Sequence, residues 1–406
     1  MTPQEILQLD RQAVETVESF PHMRFSVQTF AGMPGRPFVA VLGPRGVGKT
    51  VFLRQMRKSC WNGLYISADT LPRHSSLQDN VRLFAEQYGV TDFFIDEIHF
   101  IPGYAAALKE LYDFTRYNIW FSSSVALSLQ SSSWDLSRRV RTVKMLPFTF
   151  REFLFFRYSI ELPRLRIEDA LLQPIDPVYL RQEPFFEEYL KGGLYPFLLE
   201  PGTALEQFAN ITAKIINDDI PHADKKTSTE DIIEIEKILQ FIGRSPVDGI
   251  NYSSVSKNLG ISKYKAEKFL TLLEDGFLIK RVFPEGTNVL KEPKVLMELP
   301  YRLLYRTFSE CIGELREDFF AEAMQQQGVD FAYAKTTRGQ KTPDYVIDLK
   351  GKTAVVEIGG KGKGRSQFKG LDYDTKIVLY HTTGQGGYSR RPRPGSSVPL
   401  HCISFG

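Results

Sequence analysis

The octapeptide GPRGVGKT, Gly43–Thr50, stands between the apolar run FVAVL and the stretch VFLRQMRK. A short unbroken apolar run predicts a buried strand. The stretch that follows carries its apolar residues at helical spacing, so the eight residues between must turn the chain from strand to helix. Gly43, Gly46 and Gly48 lack a Cβ, which lets the backbone curl until successive N–H groups converge, and the helix beginning there adds the positive end of its dipole. Such a cradle holds an anion. All fixed positions of G-x-x-x-x-G-K-[ST] are met in the strand–loop–helix setting that the motif requires, so the anion is the phosphate chain of a nucleotide.

Residues Gly43, Pro44, Arg45, Gly46, Val47, Gly48, Lys49, Thr50 and Val51 are therefore expected to wrap the phosphates. Lys49 should reach the β and γ groups, and Thr50 should ligate Mg²⁺. DFFIDE supplies the second half, because an apolar run places Asp96 at a strand end where its carboxylate can hold Mg²⁺, with Glu97 beside it to polarise an attacking water. No N-K-x-D guanine-reading element occurs, so ATP with Mg²⁺ is the expected cofactor. Arg138 and Arg139 precede the run RTVKML, where an arginine would touch the γ-phosphate in cis or from a neighbouring subunit, or else form a solvated basic surface. The cluster Ser122–Ser124 either places a hydroxyl near the water or is a polar loop.

LYISAD, DFFIDE, NIWFSSS and RTVKML follow the first run at intervals long enough for helices, the pattern of a parallel α/β sheet. At 406 residues the chain exceeds one ordinary core. Its net charge of +3 is small, so any affinity for nucleic acid must come from local patches. Cys60, Cys311 and Cys402 match no metal-ligand spacing, and the N-terminal stretch has helical periodicity among acids without a continuous apolar core. A cytoplasmic protein with no membrane partner is the expectation.

Composition divides the chain into an N-terminal helical segment (1–30), the phosphate-binding core (31–150), an aromatic-rich helical subdomain (151–227), a segment of three helical periods with a strand-like pair (228–300), and a final segment returning to strands (301–406). Three helices and a strand pair suggest a winged helix-turn-helix. In YSSVSKNLGISKYKAEKF the apolar positions Ile261, Ala266, Phe269 and Leu270 give the second helix a buried side. Lys263, Lys265 and Lys268 are left for phosphate contact, with Lys280 and Arg281 near the wing.

On GPRGVGKT, FFIDEIHFIPGYAAALKELYD, LPFTFREF, KGGLYPF, INDDI, LGISKYKAEKFLTLLEDGFLI, GELREDFF, PDYVID and VVEIG, the chain resembles a family of archaeal and bacterial AAA-type ATPases. That family joins a P-loop core to a winged helix and a C-terminal restriction-endonuclease-like domain. The resemblance runs from about Val39 to about Gly360. It implies a P-loop sheet with an extra strand between the two ATP motifs, and it puts Arg139 on the family's arginine. His99 stands where glutamine is usual, and Arg138 where glycine is.

A metal-dependent nuclease site of the D…E-x-K kind needs two acids to hold Mg²⁺ and a lysine to position water. Asp344 and Glu357 match the acids and Glu317 the helix glutamate that accompanies them, but the lysine position is Gly359. Lys361 shares that strand face about 7 Å further along. Cleavage is not expected. From Ala334 to Pro394 there are 13 Lys plus Arg against 5 Asp plus Glu, a local excess of +8 that includes Lys361, Lys363 and Arg365. A phosphate-tracking surface descended from a nuclease fold fits this pattern. The expected protein is an ATPase that binds DNA, duplex or branched, as a homo-oligomer, a ring being one form of it. The alternatives are an ATP-controlled switch with a protein partner and an ATP-gated nuclease.

Overall fold

The computed structural model describes the chain apart from residues 29, 31–37, 73, 125–137, 200–202, 287–291, 335–342, 350, 360–372, 374 and 382–396. The chain divides into two compact units, Met1–Pro147 and Phe148–Gly406.

The first unit is built on five parallel strands, β1 (Phe38–Leu42), β2 (Gly63–Ser67), β3 (Asp92–Asp96), β4 (Asn118–Ser123) and β5 (Val140–Lys144), in the order β2-β3-β4-β1-β5. These are the five runs expected from sequence. β4 lies between β1 and β3, pairing Ala40 with Phe121 on one side and Ile95 with Phe121 on the other, so the strand carrying the glycine loop and the strand carrying the paired acids are not neighbours. β1 to β4 are buried almost throughout, as strands covered on both faces must be. The outer strand β5 is mostly exposed and carries Arg141 and Lys144, charges that discourage edge pairing.

Helices α1 (Pro3–Thr16), α2 (Lys49–Lys58), α3 (Leu77–Tyr88) and α4 (Tyr104–Phe114) belong to this unit. A capping box between Thr2 and Glu5 starts α1. Its buried Asp10 accepts two bonds from the Arg57 guanidinium of α2, each 2.8 Å, and one of 2.7 Å from the backbone N–H of Tyr65 in β2. One carboxylate thus fastens the N-terminal helix to both α2 and the sheet of this unit. Phe84, Phe93, Ile95, Leu108, Leu111 and Phe121 are fully buried in the core of this unit.

The second unit opens with α5 (Phe150–Tyr158), started by a capping box between Thr149 and Glu152. Shorter helical segments follow, among them Ile167–Leu172 and Ala204–Lys214, and after them come α6 (Thr229–Arg244), α7 (Tyr252–Leu259) and α8 (Lys263–Asp275), then the antiparallel pair β6 (Ile279–Val282) and β7 (Lys294–Met297). The turn between α7 and α8 is a Gly260 with φ of 68°, after which Ser262 caps α8 through the N–H of Lys265. Helix α9 (Phe308–Gln327) precedes a second sheet in the order β12-β11-β10-β9-β8, formed by β8 (Phe331–Tyr333), β9 (Tyr345–Leu349), β10 (Lys352–Gly359), β11 (Thr375–Tyr380) and β12 (Ser397–Pro399). This sheet is mixed: β10 runs antiparallel to β9 and parallel to β11.

An aromatic core holds this unit together, with Phe186 packed edge-on to Phe319 of α9 at 4.8 Å and to Phe150 of α5 at 5.5 Å between centroids. Arg302 is wholly buried. Its guanidinium donates two bonds to Asp318 (2.7 and 3.1 Å) and others to the carbonyls of Ile242 and Ser245, linking the end of α6 to α9.

Candidate functional site

At the C-terminal end of β1 the chain turns as the sequence requires. Gly46 and Gly48 take φ values of 82° and 95°, which disfavour any side chain, and Gly48 is the residue from which α2 starts. Gly43 has a different reason: a Cβ there would lie 1.9 Å from the carbonyl oxygen of Met145, which follows β5. The loop is also held from behind. Buried Arg24 donates to the carbonyl of Val47 within the loop (2.9 Å) and to those of Leu146 (2.7 Å) and Pro147 (3.0 Å). Lys49 lies buried at the head of α2 with its ammonium donating to the carbonyls of Gly43 (2.7 Å) and Pro44 (2.8 Å).

Asp96 closes β3 and is 3% exposed. The Tyr65 hydroxyl donates to its Oδ2 at 2.9 Å, and the Ser122 hydroxyl bonds its Oδ1. Glu97 follows in the left-handed region at φ 50°, a costly conformation for a residue with a Cβ. Its backbone N–H donates to Ser122 Oγ at 2.9 Å, while its Oε2 accepts from the backbone N–H (3.2 Å) and hydroxyl (3.1 Å) of Ser124. His99 Nδ1 lies 3.4 Å from the same oxygen, and Arg45 lies 3.8 Å from Oε1. Burial would raise the pKa of Glu97. The charges of Lys49, His99 and Arg45 and the Ser124 hydroxyl together outweigh it and hold the carboxyl below the usual range.

The serine cluster therefore grips the acid pair: Ser122 spans Asp96 and Glu97, Ser124 holds Glu97, and Ser123 meets His99 Nδ1 at 3.2 Å. Tyr65 and Arg24 were not singled out by sequence. A tyrosine inside a strand otherwise buried on both faces was the only available signal for the first. For the second there was none, since Arg24 lies in no motif. Arg139 donates two bonds of 2.9 and 3.0 Å to Asp113, at the end of α4.

In the second unit, five of the eight cations expected to face DNA lie among the described residues, and each of these is engaged by an acid of that unit. Lys263 pairs with Glu292, Lys265 with Asp231 and Glu234 (3.0 and 2.7 Å), and Lys268 with Asp224 (2.8 Å). Lys280, with a side chain only 12% exposed, lies between Glu298 and Glu322. Arg281 is braced by Glu274 and donates to the hydroxyls of Tyr252 (3.0 Å) and Thr271 (2.8 Å). Between residues 228 and 300 there are 10 Lys plus Arg and 11 Asp plus Glu, a net of −1. Lys361, Lys363 and Arg365 lie outside the described residues.

Asp344 and Glu357 stand at one end of the second sheet, and Glu317 on α9 meets the neighbouring Tyr345. Asp344 precedes β9 and accepts from the backbone N–H of Ile358 at 2.7 Å, next to Glu357, which is fully buried in β10. Glu317 on α9 accepts from the hydroxyl of Tyr345 and the ammonium of Lys294, both at 2.8 Å. Gly359 ends β10.

The strand order, the glycine loop and the gripped acid pair define an AAA-type P-loop ATPase domain, and a family model described as an AAA domain matches residues 35–154. A second model, described as a domain of unknown function, matches residues 183–298. An uncharacterized protein of Methanocaldococcus jannaschii is 26% identical over 377 residues, covering 83% of this chain and 78% of that protein. Among solved structures, the chain aligns with the Orc1 protein of Aeropyrum pernix in complex with DNA at 12% identity and a TM-score of 0.30, covering 77% of this chain and 92% of that one. It aligns with AMPPCP-bound DnaA of Aquifex aeolicus at 14% identity and a TM-score of 0.23, covering 67% and 88%. Among the described residues no helix is long and apolar enough to cross a membrane.

Proposed function

We propose that this chain is a Mg²⁺-dependent ATPase that couples hydrolysis to its grip on DNA. The observation that carries the ATPase reading is the placement of buried Asp96 and half-buried Glu97 under the control of Ser122 and Ser124, in a unit whose glycine loop is shaped for phosphates. The donor set fits Mg²⁺: a hydroxyl at Thr50 and a carboxylate at Asp96 are the hard oxygens that ion prefers. When bound, the ion neutralises charge on the β and γ phosphates. Lys49 turns its ammonium from the Gly43 and Pro44 carbonyls toward those phosphates, and Glu97, held ionised by its cationic neighbours, accepts the proton of the attacking water. Arg139 serves as the transition-state cation once released from Asp113, in cis or across an oligomer interface.

DNA contact is assigned to the basic C-terminal segment and, secondarily, to the α7–α8 module read as a winged helix. Lys263, Lys265 and Lys268 are half-exposed, and surface ion pairs of their kind are worth only about 0–1 kcal/mol, so they can be exchanged for phosphate contacts. Lys280 and Arg281 are better suited to holding the fold. The net charge of −1 in that module favours a second reading, in which it docks a protein partner and ATP acts as a switch. ATP turnover is measured with duplex, forked and single-stranded DNA at two salt concentrations. Stimulation that falls steeply with salt supports DNA coupling, and indifference to all three supports the switch. Normal turnover by Lys49→Ala would refute the ATPase site.

A further inference from the structure

The sequence leaves the nuclease-like acids without their lysine, because residue 359 is glycine. The fold brings another lysine to them from a different strand. Lys294 opens β7, outside the strands that carry the acids, and its ammonium lies 2.8 Å from Glu317 Oε2, 2.9 Å from Asp248 Oδ1 and 5.0 Å from the centre of the Tyr345 ring. Its side chain is only 10% exposed. Tyr345 donates its hydroxyl to that same Glu317 oxygen and directly follows Asp344, whose carboxylate is tied to the backbone beside Glu357. Lys294 and Asp344 line one cavity of about 300 Å³ together with Asp248, Asn251, Glu292 and Tyr333.

From this geometry we infer that Lys294 takes the place of a divalent cation at Glu317 and Asp344, making this a self-neutralised site that the domain uses without metal. The inference rests on reading Glu317, Asp344 and Glu357 as a nuclease-like acid set. A divalent ion needs carboxylate oxygens at about 2.0–2.6 Å. The Glu317 oxygen already accepts two donors at 2.8 Å, one of them a full positive charge, and a metal on that carboxylate would meet the ammonium at near-contact distance. The contact also has a mechanical result. It ties the β6–β7 pair to α9 and β9, so whatever the α7–α8 module binds is fixed to the second sheet through an ion pair.

The test is Mn²⁺ binding, followed by calorimetry and by the electron spin resonance of the free ion. It uses the full nucleotide-free chain with Asp96→Asn in every sample to silence the phosphate-loop metal site. The expected result is that adding Glu317→Gln leaves Mn²⁺ binding unchanged. Lys294→Ala should gain one Mn²⁺ site at least tenfold tighter than any in the parent, and Lys294→Ala with Glu317→Gln should lose it. Loss of a Mn²⁺ site on Glu317→Gln alone overturns the inference, as does a folded Lys294→Ala that gains none. Should Lys294→Ala fail to fold, the comparison of parent with Glu317→Gln decides by itself. Failure of the ATPase reading is distinguishable, because it is registered in ATP turnover and leaves these Mn²⁺ titrations untouched.

Discussion

Tyr65→Phe removes one oxygen from the molecule and nothing else. The ring stays in β2, under the Arg54 guanidinium whose carbon lies 5.0 Å from its centre, so packing is preserved. What is lost is the 2.9 Å hydrogen bond to Asp96 Oδ2, together with a long 3.5 Å contact from Arg54 Nη2. Burial, and then the Asp96 charge, raise the pKa of this hydroxyl, so it is a committed donor at any working pH. A hydrogen bond to a charged group is worth roughly 1.5–3 kcal/mol. Asp96 keeps Ser122, so the carboxylate does not collapse but loses half of what orients it. If about half of that energy is expressed as misplacement of the Mg²⁺ ligand, the Mg²⁺ concentration for half-maximal turnover rises by about 4- to 13-fold. The assay is steady-state ATP hydrolysis against Mg²⁺ at saturating ATP, with nucleotide affinity in EDTA as the control. Turnover recovers at high Mg²⁺, and affinity in EDTA does not change. An unaltered Mg²⁺ midpoint would refute the positioning role, and an equal loss in EDTA would show that the change acts on the phosphate loop instead.

Gly43→Ala drives a methyl group into the Met145 carbonyl, a contact of 1.9 Å with backbone that cannot rotate away. The variant should lose nucleotide binding in equilibrium dialysis and melt at a lower temperature, whereas a side chain at Gly89, with open space around it, meets only the local backbone preference. Arg302→Leu removes the only cation bonded to buried Asp318, which keeps just the Met297 N–H, and one donor from each of two carbonyls, and should cost about 3–5 kcal/mol in the second unit, seen as a shifted denaturant midpoint. Adding Asp318→Leu should recover much of that loss; no recovery would show that the carbonyls dominate. Burial and the nearby Arg316 charge push His381 down to about 3, and burial pushes His401 down to about 4. Both are neutral in the fold and take up a proton in the unfolded chain, whose imidazoles titrate near 6.5. Their contribution is therefore present above that value and is lost as pH falls from about 6.5 through 4. The melting temperature of the second unit should drop over that window, and His401→Gln should flatten the drop.

The first unit was legible because its determinants are local. Each strand is a short apolar run, the phosphate loop is contiguous, and its glycines answer to backbone geometry that a pattern encodes directly. Asp96 and Glu97 were legible for the same reason, standing at a strand end. The residues that aim them were not. Ser122 and Ser124 come from β4 and the residue after it, and Tyr65 from β2, so their roles depend on which strands become neighbours. The order β2-β3-β4 places both suppliers next to β3, and a pattern along the chain carries no trace of that adjacency. The second unit shows the same limit with a sharper effect on function. The lysines of α8 stand on the side of the helix that sequence left open, yet acids from distant positions, Asp224, Asp231, Glu234 and Glu292, meet every one of them. Helical spacing says which side of a helix is apolar. It does not say what charge the neighbouring elements present to the other side. Lys294 makes the point for chemistry: along β10 the acid set is one lysine short, and the lysine the fold supplies arrives from β7.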